Sequence, residues 1–145
     1  MKRTAAIPQW LITRILPQGI SLQILDIDQH VLFSSSGKWL HPLLEAEQFI
    51  LREGLQPEHL ILHDRIAGRA AAALAVHIGF SVVKAEMMST LAEAVYKRYN
   101  VPYAADTVVV RIDCKTEELV TDSMELHQIY EMIVERAKKS IRSLQ

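Results

Sequence analysis

The stretch Asp64-Arg65-Ile66-Ala67-Gly68-Arg69-Ala70-Ala71-Ala72-Ala73-Leu74-Ala75-Val76 constrains this chain more than any other segment. A cap signal at Asp64 leads into a run of small apolar side chains that Gly79 closes. A helix with no polar outer face, built of residues that permit close backbone approach, belongs inside a packed layer, so residues 65 to 78 read as a central buried helix. Its first turn carries Arg65 and Arg69, four apart, where the macrodipole favours negative charge. Something anionic must answer them. The answer is either a side chain such as Asp64 or Glu86, or a ligand carboxylate or phosphate on the free helix amides.

At 145 residues and half apolar, the chain fits one compact domain with a sizeable core. Sixteen basic residues against 17 acidic ones leave no general field for nucleic acid or an anionic membrane. The one cysteine, Cys114, excludes an internal disulfide and any Cys-x-x-Cys zinc arrangement, and it fits a reducing compartment. Pro8, Gln9, Arg14 and Pro17 break up the N-terminal apolar residues, leaving neither a signal-peptide core nor a run long enough to cross a bilayer. The expected location is cytoplasmic.

The order of elements follows from periodicity and punctuation. Residues 4 to 16 read as a helix that Pro17-Gln18-Gly19 ends. Ile20 to Asp26 and His30 to Ser34 read as two strands of a hairpin, although its turn lacks an Asn-Gly signal. A second helix runs from 39 to 53 and stops at Gly54, and His59 to His63 is a strand or loop feeding the central helix. Ser81 to Glu86 is a strand. Thr90 with Glu93 has capping-box spacing for a helix to Asn100, with Ser89 as the other candidate cap. Tyr103 to Ile112 is the most strand-like stretch and is expected well inside the sheet. Asp122 with Glu125 resembles a cap for a terminal helix whose stripe is Leu126, Ile129, Tyr130, Ile133, Ala137 and Ile141.

Laid out in this order, the chain resembles the bacterial domain-of-unknown-function family numbered 1893, of the cytidine deaminase-like superfamily. Lys38 to Leu44, Asp64 to Leu74 and Ser89 to Ala92 carry the resemblance, which spans roughly residues 5 to 126. It implies a three-layer α/β domain with a mixed sheet, to which the helix of residues 123 to 144 is an addition. Arg69 stands where the family has lysine, which removes a Schiff-base or general-base lysine. Asp122-Ser123-Met124-Glu125 stands where the family has Cys-Pro-Met-Glu, which removes a thiol. Zinc deaminases need His-x-Glu or Cys-x-Glu at one helix start and Pro-Cys-x-x-Cys at the next. The corresponding starts here read Gly68-Arg69-Ala70 and Ser89-Thr90-Leu91-Ala92, so no metal or other cofactor is expected.

The expected ligand-binding set is therefore Arg65, Gly68, Arg69, Ser89 and Thr90, placed for a small anionic or nucleotide-like ligand. Gly68 reads as close packing or close approach to a ligand. Ser89 and Asp64 read first as caps. If the domain is an enzyme, Asp64, Glu86, Ser89 or Glu125 would move protons. Assembly through the stripe on the C-terminal helix is a third reading. His59 and His63 lack the helical geometry of His-x-x-x-His metal sites, His41 and His77 sit ordinarily near helix ends, and Cys114 reads as a small half-buried residue. Trp10 and Trp39 read as core or inter-helix anchors.

Overall fold

A computed structural model describes residues 7–112 and 119–143. Its centre is a mixed five-stranded sheet in the order β2-β1-β3-β4-β5. Strand β1 (Leu22–Leu25) pairs antiparallel with β2 (Val31–Ser35) and with β3 (Ile61–Ala67). Strands β3, β4 (Val82–Ser89) and β5 (Tyr103–Val109) run parallel, joined by helices α3 (Arg69–Ile78) and α4 (Thr90–Arg98). Helix α2 (His41–Glu53) follows the hairpin, α5 (Leu126–Ser143) ends the chain, and α1 (Gln9–Ile12) is a single turn near its start.

Alternation along the strands sorts side chains onto two faces. Leu22, Ile24, Leu62, Val83 and Ala85 face the helices and join one core with Leu43, Ile50, Ala72, Leu74, Tyr96 and Ile133. Leu25, Ile61 and Val82 face the other way and are covered by Leu11, with Ile7 and Trp10 packed alongside. The result is a three-layer α/β architecture: N-terminal segment, sheet, helices. No helix among the described residues is long and apolar enough to cross a membrane.

The hairpin forms without Asn-Gly because Asp26 supplies the turn itself, its Oδ1 accepting from the backbone N–H groups of Asp28 and His30 at 2.9 Å each. Helices α2 and α3 end as expected, at Gly54 (φ +66) and Gly79 (φ +107).

Several expectations are overturned. The central helix begins at Arg69, not at residue 65, because β3 runs on to Ala67: Asp64 is paired on both sides, with Leu22 and Ala85, and Ile66 and Ala67 continue the pairing with Met87 and Met88 of β4. Asp64 is therefore not a cap, and Arg65 is not in a helix. The N-terminal helix shrinks to one turn because tertiary bonds claim the groups that would extend it: the Ile12 and Arg14 carbonyls accept from Lys84 Nζ, and Leu16 N–H donates to Glu86. Strand β5 is the sheet's edge, with Thr107 and Val108 exposed; a β-branched run looks alike at an edge and at a centre. Trp39 is exposed and in the left-handed region (φ +61) rather than in the core, whereas Trp10 packs as an anchor. The stripe on α5 is used internally: Ile129, Ile133 and Ala137 are buried, His77 of α3 stacks on Tyr130 at 4.4 Å, and the Tyr130 hydroxyl donates to Glu47 of α2 at 2.6 Å. Cys114 and the N-terminal residues 4 to 6 lie outside the described residues.

Replacing Ile133, fully buried under α3, by alanine is expected to lower stability by roughly 2–5 kcal/mol in urea unfolding. Leu51→Ala, at a side chain 68% exposed, is expected to stay within about 0.5 kcal/mol of the parent.

Candidate functional site

Because β3 and β4 are parallel and in register at Ala67 and Met88, the starts of α3 and α4 lie side by side at the carboxyl ends of the strands. That edge is where ligands bind in open α/β sheets. Helix α3 is preceded by Gly68 in extended conformation (φ −92, ψ −175), with no side-chain cap among the described residues and no acidic residue in its first turn. Gly68 is thus the N-cap and not part of the helix. Its Arg69 side chain is 15% exposed; Nη1 donates to the Val120 carbonyl at 2.9 Å, and Nη2 pairs with Asp122, a residue 97% exposed. Asp122 does not cap α5: Gln128 Oε1 instead accepts from the backbone N–H of Glu125, an exposed residue at that helix start.

Helix α4 is capped by Ser89, fully buried, whose Oγ accepts from Ala92 N–H at 3.1 Å. Thr90 is not the cap; its hydroxyl donates to the Val110 carbonyl at 3.0 Å and ties the helix start to the end of β5. Beside Arg69 lies a cavity of about 30 Å³, bounded by Ala73, Arg98, Thr121, Asp122 and Met124. That is room for about one water molecule.

The other expected residues fall elsewhere. Asp64 faces the helix side of β3, opposite Leu22 of β1 and beside Ala85 of β4. Burial pushes its carboxyl up to about 7. Tyr96, on the buried face of α4, is raised by its own burial and then by the charge of Asp64. Arg65 and Glu86 point from the opposite face, where they pair at 3.2 Å. The side-chain answer to Arg65 is the one the sequence offered, Glu86.

That opposite face holds a buried polar band that sequence reasoning missed. Gln23, His63 and Lys84 stand in register across β1, β3 and β4, all at most 5% exposed. Arg14 enters from the N-terminal segment, Nη1 reaching His63 Nδ1 at 2.7 Å and Nη2 donating to Gln23 Oε1 at 2.6 Å. Lys84 Nζ pairs with Asp106 at 3.0 Å. The signal was there as a period of two, His63 and Arg65 on one strand with Lys84 and Glu86 on the next, but polar alternation ordinarily marks a solvated face. His63 and His59 do not converge, since His63 is buried under Arg14 and His59 is exposed.

No protein-family model matches this chain, and no curated protein matches it significantly. Among solved structures, the crystal structure of a DUF1893 family protein from Thermotoga maritima is similar, with a TM-score of 0.70 and 18% identity over 81% of this chain and 80% of that one. At that identity the likeness establishes the shared fold.

Two measurements check this geometry. Ser89→Ala is expected to cost about 1–2 kcal/mol, more than Thr90→Ala, because Ala92 N–H is left without its buried acceptor. For Asp64 the raised folded value means that the native state holds a proton the unfolded chain releases above about pH 4. Asp64 thus costs stability as pH rises from about 4 to 7. Asp64→Asn should gain on the parent across that window by up to about 4 kcal/mol, read from urea midpoints at pH 4 and pH 8.

Proposed function

We propose that the domain binds a small anionic or nucleotide-like ligand at the adjoining starts of α3 and α4, with Gly68 and Arg69 touching the anion and Ser89 and Thr90 fixing the partner helix. The observation that carries this reading is the start of α3: a helix of ten residues with no first-turn acid and, among the described residues, no capping side chain, set at the carboxyl edge of parallel strands. Such an end is stabilised by negative charge. Asp122 supplies that charge to Arg69 from a fully solvated position, so an incoming carboxylate or phosphate exchanges with it. Arg65 is not part of this set, being committed to Glu86 and to the carbonyls of Pro17 and Ile20.

We further read the mixed sheet with its two parallel crossovers as the cytidine deaminase-like architecture, used without the zinc chemistry of that superfamily. Neither Gly68-Arg69-Ala70 nor Ser89-Thr90-Leu91-Ala92 supplies a ligand set for zinc or a proton-shuttling glutamate. Binding, rather than turnover, is the function these residues support. A second reading, as a non-zinc enzyme, rests on Asp64, whose carboxyl burial pushes up to about 7.

Thermal shift against nucleosides, nucleotides, sugar phosphates and small carboxylates tests the proposal. A ligand at 100 times its Kd raises the melting temperature by on the order of 5–10 °C. Arg69→Ala should abolish the shift and Asp122→Ala should enlarge it. No shift with any compound, or an equal shift in Arg69→Ala, overturns the reading.

A further inference from the structure

The N-terminal segment is bound to the outer face of the sheet in an unusual manner. Three side chains of the sheet hold its main chain: Lys84 Nζ donates to the Ile12 and Arg14 carbonyls at 2.5 and 2.8 Å, Arg65 to those of Pro17 and Ile20 at 2.9 and 2.7 Å, and Glu86 Oε2 accepts from Leu16 N–H at 2.9 Å. The one charged side chain that the segment inserts in return is Arg14. Beyond it the chain turns at Pro17–Ile20, closed by Ile20 N–H to the Pro17 carbonyl, with Gly19 at φ +82.

Arg14 meets His63, and the chemistry of that contact depends on protonation. Arginine only donates, so His63 Nδ1 must be the acceptor, which puts the imidazole proton on Nε2. Nε2 is fully buried with no hydrogen-bond partner among the described residues, where the nearest carboxylate oxygen, Glu86 Oε2, is 3.6 Å away. A second proton on His63 would place an N–H against the Arg14 guanidinium at 2.7 Å. The groups that face His63 are Arg14 from the segment, Gln23 from β1, Arg65 from its own strand, Lys84 and Glu86 from β4, and Asp106 from β5. Three are cations and two are anions, so an imidazolium is disfavoured while Arg14 is in place.

We propose that residues 9–20 form a latch on the outer face of the sheet, held shut by the hydrogen bond between Arg14 and neutral His63 and released when His63 is protonated. Release removes the nearest cation and lets the imidazolium Nε2–H close the gap to Glu86, so the open state has its own ion pair. The face uncovered is the apolar row Leu25, Ile61 and Val82 with the charged band beside it.

The sign follows from linkage. Burial, and then Arg14 and Lys84, hold His63 down at about 3 in the closed state, while with the latch open it approaches its ordinary 6.5. The closed form is therefore fully favoured above pH 6.5. Its ratio to the open form falls by up to about tenfold for each unit between 6.5 and 3.

The test uses the full chain with Trp39→Phe, which removes the tryptophan stacked edge-on against titratable His41 and leaves Trp10 of the latch as reporter. Trp10 emission and far-ultraviolet circular dichroism are followed from pH 8 to pH 2.5. Emission should shift to the red at a higher pH than the dichroism changes. His63→Gln, whose amide oxygen can accept from Arg14 but cannot be protonated, should lose this early transition. Arg14→Gln should be red-shifted already at pH 7.5 with its dichroism intact. Coincident transitions in the Trp39→Phe chain, an early transition that survives in His63→Gln, or a blue-shifted Arg14→Gln with the unaltered pH response each overturn the proposal.

Discussion

The close seating of α3 is the constraint on which the rest of the molecule depends. Ala70, Ala71, Ala72, Ala73 and Ala75 are all buried, and Leu74 is the one large side chain among them. Small side chains let the sheet, α4 and α5 approach one helix from different sides, which a helix of leucines could not allow without pushing one of them away. The two parallel crossovers need such a helix, since α3 must fit between β3 and β4 in sequence while α4 lies beside it in space. The shared edge of the two helix starts is a by-product of that packing.

The layered architecture was legible because it rests on local signals: a capped helix before Gly54, an alanine run ending at Gly79, a β-branched strand, a Ser-Thr pair before an amphipathic helix. The start of α3 was not, because Asp64 has the chemistry of a cap and only pairing on both sides of β3 shows that it belongs to a strand. Arg65 and Arg69 look alike four residues apart in sequence, yet they serve opposite faces of the sheet. The candidate site was therefore half readable. Gly68, Arg69, Ser89 and Thr90 gather at one edge, whereas Arg65 and Glu86 sit beneath a segment that pattern alone makes a helix.

The outer face shows why that segment eluded the pattern. Its carbonyls accept from lysine and arginine side chains that come from residues 65 and 84, far along the chain. Nothing in the local sequence of residues 12 to 20 announces a partner more than forty positions away. Buried cations ordinarily demand carboxylates, and Lys84 has Asp106, but main-chain oxygen satisfies most of their donors here.

Consecutive residues on β3, His63 and Asp64, face opposite layers and depart from their ordinary proton affinities in opposite directions, one down to about 3 and the other up to about 7. Between about pH 4 and pH 6.5, forming the whole fold expels a proton from one and captures a proton at the other. The two exchanges offset each other in the proton balance of folding. A motion confined to one layer has no such compensation, because the group that would balance it lies across the sheet. On the latch proposed above, this strand separates two acid responses within one small molecule, a paired exchange in the body of the fold and an unpaired one in its surface layer.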